Sequence, residues 1–429
     1  MIVKKQQTKM DIFISWLKKN GAKFPHLYVE KYKKNERGVK TKKTLGPNKN
    51  IIRIPKKIII YSDMGKQTAW GMQLQKHDEN VSNPDIIYLL LFMVNNLDDE
   101  KGFYYPYYQT LPQDLSHLPV FWRETDLKYL TGSYIQEVIS ERKKEFMKDY
   151  KILCRACENF STICSMKKFM WTRSIIGSRN FGIFVNNIKQ SAMVPFADML
   201  NHSPDVNTKW YYNSKKNAFL LDSTKSIKEG GEITDTYGIK CNSKYLLYYG
   251  FTLHDNSKYR NRVQMKISQQ SNRGVLYKEK SKFIQDAFTC YINGDFGNGE
   301  FSSLMRFLRI SNSNTEELNN ISSHVNIART PFNRRNEIAT LMHLASYAKK
   351  RLKTYKKTIA ANKKELAKHL PYSNAAFAIK LVIGEKLILK SILMFCKTSL
   401  DVLLFHRRIS PRKLKNNMEG YILLLKQLK

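Results

Sequence analysis

Two hydrophobic rhythms run through this chain, and no single kind of element can carry both. Between Phe181 and Tyr237 the apolar segments FGIFV, WYYN, AFLLD and EITDTY are separated by Asn, Pro, Ser, Lys and Gly, the punctuation of short strands. Farther on, Ile338, Leu341, Ala345, Ala348, Leu352 and Tyr355 recur at three and four, as do Phe377, Leu381, Ile388, Ile392 and Phe395. Each set is one face of a long helix. The fold expected is α+β: a β-rich domain over 1–256 with a helical insertion at about 82–172, then an all-α domain over 257–429.

Local signals refine this outline. Asp11 is read as the N-cap of a first helix that runs to Asn20 and stops at Gly21. Val39–Ile60 holds β-branched runs around a Gly46-Pro47-Asn48 turn. Strand signals thin after about 256, and the Ser- and Asn-rich stretch Ser311–Ser323 reads as a mobile loop.

The apolar run Ile86–Val94 spans only nine residues, and Leu381–Phe405 is interrupted by charges, so no membrane span is expected. Lys4, Lys5 and Lys9 lead into an amphipathic pattern rather than a secretory core, which predicts a cytoplasmic or nuclear protein. A monomer is expected. Six cysteines are too few for a disulfide framework. Cys154, Cys157 and Cys164 form C-x2-C-x6-C without a fourth ligand and read as core, so no metal is predicted.

The formal charge of +37 invites a polyanion partner. Residues 1–57 carry seventeen Lys and Arg against three Asp and Glu, and 349–368 carry nine against one. Lys, Asn, Ile and Tyr are all abundant, however, as AT-rich codon usage produces, and solvated surface lysine is the simpler reading. Nucleic-acid binding is therefore possible but not required. The Lys349–Lys368 stretch reads as a long exposed helix and a docking candidate. No H-E-x-x-H, P-loop or G-x-S-x-G occurs, so those chemistries lack their minimum parts.

Four motifs then follow in order: SRNF at 178–181, PFADMLNHSP at 195–204, GGEITDTYG at 230–238 and NSKYLLYYGF at 242–251. This order resembles the SET-domain methyltransferases, in the branch where the catalytic domain is followed by a helical domain like that of Rubisco large-subunit lysine methyltransferase. Upstream, ERGVKT at 36–41 resembles the family's first cofactor-contacting turn. NRRNEIATLMHL at 333–344 and IGEKLILKSIL at 383–393 resemble its substrate-binding domain.

The resemblance implies methyl transfer from S-adenosylmethionine to a lysine nitrogen of a protein such as a ribosomal protein, translation factor or histone. It implies a knotted active site with Tyr237 as the catalytic residue. Glu36, Gly38, Val39, Arg179, Asp198, Asn201, His202, Tyr237 and Phe251 are implied as cofactor contacts. Ser178, Phe181, Ala197, Asp198 and Tyr249 are implied around the substrate. A small residue at Ala197 beside Phe181 resembles the lysine-directed members, whereas histidine-directed ones carry a bulky aromatic at the first position and a polar residue at the second. A lysine has a solution pKa of about 10.4, so a site using it must favour the neutral amine, which an apolar channel and a nearby cation both do. The alternative is a non-catalytic protein of the same fold that binds or scaffolds ribonucleoprotein.

Overall fold

The first helix is Lys9–Lys19, and its cap is Thr8 rather than Asp11. The Thr8 hydroxyl accepts the Asp11 N–H at 3.2 Å, and the Asp11 carboxylate accepts the Thr8 N–H at 3.0 Å. Asp11 is thus the reciprocal half of a capping box, which its position three residues inside the helix allows. Phe13 and Leu17 are fully buried from this helix, and Gly21, at φ +83°, ends it as expected. The computed structural model describes residues 7–33, 36–254, 256, 261–269, 274–322, 330–405 and 418–428.

The backbone packs as two compact units. The first runs to Ser116 and resumes over Ser140–Ile239; the second joins His117–Ile139 to Lys240 and everything after it. The units thus divide at 239/240, where the sequence reading drew a line at 256. A short segment set inside the helical insertion belongs to the second unit because its polar groups are satisfied there. Ser133 donates to Glu385 at 2.8 Å, and Tyr134 donates to Ser243 at 2.7 Å. Glu385 is fully buried and also accepts the Tyr355 hydroxyl at 2.8 Å; burial pushes its carboxyl up to about 7.

In chain order the strands of the first unit are β1 (Leu27–Lys33), β2 (Glu36–Thr41), β3 (Asn50–Pro55), β4 (Ile60–Tyr61), β5 (Asn180–Val185), β6 (Ile188–Met193), β7 (Asn201–His202), β8 (Thr208–Asn213), β9 (Ala218–Ser223) and β10 (Glu232–Asp235). They form three small sheets, ordered β1-β2-β10-β7, β3-β9-β8 and β4-β6-β5. In the second sheet Ile52 faces Leu221 and Ile54 faces Phe219, all fully or nearly fully buried. Each such side chain contributes about 1.5–3 kcal/mol by leaving water. β6 was not foreseen, because neither face of IKQSAM is strongly apolar: on one, Gln190 is buried and Ile188 is exposed. The helices Pro84–Asn96, Ile135–Ala156 and Met166–Arg179 are the long helices of the predicted insertion, the last running past its expected end.

The second unit is helical around a strand pair that the sequence reading missed: β11 (Val263–Ser268) and β12 (Ala287–Ile292), antiparallel, with Val263, Met265 and Ile267 buried. Its long helices are Arg334–Lys353 and Asn374–Phe405, which bury Leu341 and Ala348 and, from the second, Leu381, Ile388, Ile392 and Phe395. The expected mobile loop is largely helix, with Gly299–Ser311 followed by Thr315–Ser322; Ser323 lies outside the described residues. Asn314 accepts the Glu317 N–H and Glu317 accepts the Asn314 N–H, both at 2.9 Å. Polar residues taken as loop composition are the cap of a helix. The Lys349–Lys368 stretch is likewise not one helix, since a second one starts at Ile359 behind the Thr358 cap.

No helix among the described residues is long and apolar enough to cross a membrane. No group of three or more His, Cys, Asp or Glu among them is placed to hold a metal ion. The Cys157 thiol is buried and donates to the Trp70 carbonyl at 3.5 Å.

Candidate active site

The site is assembled where β7 lies parallel to β10, which sets Asn201 opposite Thr234 and His202 opposite Asp235. These pairs come from segments more than thirty residues apart, so neither motif makes the site alone. Asn201 donates from its amide to the Arg37 carbonyl at 2.9 Å and to Glu232 Oε1 at 2.7 Å. That binds β7 to both β2 and β10. Gly38 sits under this crossing, where a Cβ would lie 2.5 Å from the Tyr32 hydroxyl and 3.0 Å from the Asn201 amide. Its bareness admits the protein's own side chains at this point. Val39 is fully buried between its register partners Val29 and Ile233, so its side chain is sheet core. Glu36 opens β2 opposite Lys33.

His202 Nδ1 accepts the Tyr237 N–H at 3.2 Å, and the two rings stack with centroids 5.2 Å apart. Tyr237 lies past the end of β10 and is followed by Gly238 at φ +87°, so the chain turns away directly behind its ring. Its hydroxyl donates to the Leu200 carbonyl at 2.8 Å. That bond fixes the position of the phenolic oxygen beside the β7–β10 crossing. Two residues earlier, the Asp235 carboxyl is pushed up to about 6 by burial, against the Thr236 N–H that it accepts.

A second cluster lies one short turn away along the chain. Arg179, last in its helix, donates from Nη1 to the Asp198 carbonyl at 2.7 Å and stands 3.5 Å from Asp198 Oδ2. Tyr107 donates to that same Oδ2 at 2.9 Å, and its hydroxyl pKa is pushed far up by burial and by the carboxylate. Arg37 donates from Nη1 to the Thr110 carbonyl at 2.6 Å. Its guanidinium is lowered to about 10, first by burial and then by the like charge of Arg179, and remains a cation at neutral pH.

Three buried atoms of this cluster, Arg37 Nη2, Arg179 Nε and Asp198 Oδ1, have no hydrogen-bond partner among the described residues. Leaving such a group unsatisfied costs about 1–3 kcal/mol, and more when charged. Two guanidiniums and one carboxylate, each with a polar atom to spare, match a zwitterion that brings its own carboxylate and ammonium. The intervening turn is strained: Phe196, fully buried and stacked on Phe24 at 4.2 Å, is held at φ +76°. Strain of this kind costs about 1–3 kcal/mol and fixes Ala197–Met199 in place.

Phe181 on β5 meets Trp210 and Phe219 edge-on at 5.4 and 5.2 Å, and Ala197 is buried. Both positions are apolar. Ser178, in contrast, turns its hydroxyl back onto its own helix, donating to the Ser174 and Ile175 carbonyls at 3.0 and 3.1 Å. Tyr249 and Phe251 belong to the second unit, where Phe251 stacks on Tyr245 at 5.2 Å and Gly250 between them adopts φ +77°. The reading of the motifs missed Arg37, Tyr107 and Glu232. Arg37 stood inside ERGVKT, but Tyr107 lies in an aromatic run at 103–108 that carried no motif.

A parallel β7–β10 crossing between small sheets, an Asn-His pair and a tyrosine at a chain reversal make up the candidate site. A model of the SET domain matches residues 36–238, and a model of the Rubisco LSMT substrate-binding domain matches 272–389. Residues 36–238 are thus matched as a SET domain and 272–389 as a substrate-binding domain of the Rubisco LSMT type, in that order along the chain.

Among curated proteins it resembles the actin-histidine N-methyltransferase of Gallus gallus, 25% identical over 401 residues that make up 88% of this chain and 66% of that protein. The Homo sapiens protein of the same name is 24% identical over 400 residues, again 88% and 66%. The chain thus spans slightly less than two thirds of the length of these relatives. Among solved structures, the SET domain of LSMT bound to lysine and AdoHcy superposes with a TM-score of 0.78 at 21% identity, covering 97% of this chain and 98% of that one. Rubisco LSMT bound to AdoMet gives 0.77 at 20% identity, covering 97% and 99%.

Proposed function

We propose that the chain is an S-adenosylmethionine-dependent protein N-methyltransferase directed at lysine side chains of cytoplasmic or nuclear proteins. The observation that carries this reading is the pair of clusters joined by Asp198–Leu200. One has unsatisfied atoms suited to an amino-acid zwitterion, and the other has a tyrosine whose hydroxyl is fixed on the Leu200 carbonyl. S-adenosylmethionine supplies, when bound, a methyl group made electrophilic by its sulfonium. Arg37 and Arg179 would hold its carboxylate and Asp198 its ammonium. Asn201 ties β7 to β2 through the Arg37 carbonyl. Tyr237 orients the incoming nitrogen and the polarised C–H groups through weak contacts to oxygen, a contribution of positioning more than of acid–base strength.

Lysine is favoured by Phe181 and Ala197. An imidazole acceptor has a second ring nitrogen that needs a hydrogen-bond partner, and these two positions offer none; a lysine brings a hydrocarbon stem that suits them. The second reading, histidine, is favoured by the names of the curated relatives. Peptide mapping of proteins methylated by the purified chain decides between the two. The expected adduct is on a lysine Nζ, and methyl groups confined to histidine rings would replace this choice with the second reading.

Substituting Arg37→Gln tests the donor cluster. It keeps a donor toward Thr110 and removes the charge, so the dissociation constant for S-adenosylmethionine is expected to rise about 10- to 100-fold, the scale of one hydrogen bond to a charged group. Unchanged affinity in calorimetry would remove Arg37 from the donor site.

A further inference from the structure

The first unit holds a cleft of about 500 Å³ that shares no residue with the site above. Arg53, Lys56, Lys57 and Lys216 converge on it, together with Tyr61 and Tyr104, and no carboxylate lines it. The remaining lining is apolar or amide.

Its two rims are fixed by backbone bonds. On one side β3 runs into the turn bearing Lys56 and Lys57, and the Lys57 carbonyl accepts the Tyr104 hydroxyl at 3.3 Å. On the other, the β8–β9 turn holds Lys216, whose N–H donates to Asn213 at 2.9 Å. The rims are tied together where the Lys56 N–H donates to the Asn217 carbonyl at 2.8 Å. Arg53 lies below, and its buried Nε has no hydrogen-bond partner among the described residues. Lys56 stands 5.4 Å from the centre of the Tyr61 ring, so a cation already covers that face.

A solvated lysine face is convex and keeps its charges apart. Here four like charges gather around one cavity, and an anion that concentrates several charges in a small volume relieves their mutual repulsion more than a single-charge counterion does. An acidic peptide spreads single charges over extended backbone. A phosphate chain carries three or four within a few bonds, and the cleft has the size of a small-molecule site. We propose that this cleft binds the phosphate chain of a nucleoside di- or triphosphate.

The test is calorimetric titration of the full chain with inorganic tripolyphosphate and with ATP in magnesium-free buffer at about 0.15 M salt, where diffuse charge attraction is screened beyond roughly 8 Å. Both probes are expected to bind saturably, one per chain. Replacing the exposed pair Lys57→Gln and Lys216→Gln should weaken both about tenfold or more, the loss expected of two charge contacts. The pair Lys42→Gln and Lys43→Gln, exposed residues of the same unit that remove the same charge without lining the cleft, should change affinity less than about twofold. Equal weakening by both pairs, or binding that never saturates, would mean net charge alone and would overturn the proposal. Loss of a single-stranded RNA or of polyglutamate in the cleft variant, with ATP unaffected, would overturn it in favour of that partner.

Discussion

Tyr237→Phe lowers methyl transfer by about 10²- to 10³-fold, while affinity for S-adenosylmethionine stays within about threefold of the parent. The variant removes one oxygen and keeps what holds the ring: the stack on His202 and the bond from the Tyr237 N–H to His202 Nδ1 both survive. The Leu200 carbonyl loses its donor, which costs about 1–3 kcal/mol of stability, so a modest drop in melting temperature accompanies the kinetic loss. A purely structural tyrosine would show that drop without the kinetic effect. The measurement is single-turnover transfer of labelled methyl, read beside calorimetry and thermal denaturation on the same preparation. Transfer within tenfold of the parent would sink the role given to the hydroxyl, and a parent that binds the donor yet labels nothing would favour the scaffold alternative.

What the sequence disclosed about this site was its short-range part. Asn201, His202 and Tyr237 sit in contiguous motifs whose local geometry is set by the strand and turn that contain them, and the structure joins them through the β7–β10 pairing. Arg37 and Tyr107 matter through contacts with Thr110 and Asp198, partners seventy or more residues away, and no spacing rule encodes such distances. Ser178 shows the opposite failure. It stands beside Arg179 in the motif, yet a helix turns adjacent residues by about 100°, so the arginine reaches Asp198 while the serine bonds its own helix.

The fold divides in the same way. Long helices announced themselves because three or four turns of periodic burial are hard to mistake, as with Phe377 to Phe395 inside Asn374–Phe405. Short or capped elements did not. The alternation in VQMKIS is only three apolar residues deep, and the Asn314–Glu317 capping box looks like loop composition until its two bonds are seen. Placing His117–Ile139 in the second unit required knowing that Ser133 ends on Glu385, a partner 252 positions away.

Arg309→Met destabilises the second unit by about 3–5 kcal/mol, because it strands a buried charge. Arg309 and Glu337 are 1% and 0% exposed and joined by two bonds, Nε to Oε2 at 2.7 Å and Nη2 to Oε1 at 2.8 Å. Deleting the guanidinium leaves a carboxylate in the core whose remaining partner is the Tyr421 hydroxyl. Adding Glu337→Gln to Arg309→Met removes the stranded charge and keeps an acceptor for Tyr421, so the double variant should recover most of the loss. Urea titrations of the full-length parent, single and double variants measure all three. If the single variant were no less stable than the double, the cost would come from the shape of the missing arginine and not from the stranded charge, because packing alone is indifferent to whether position 337 can ionise.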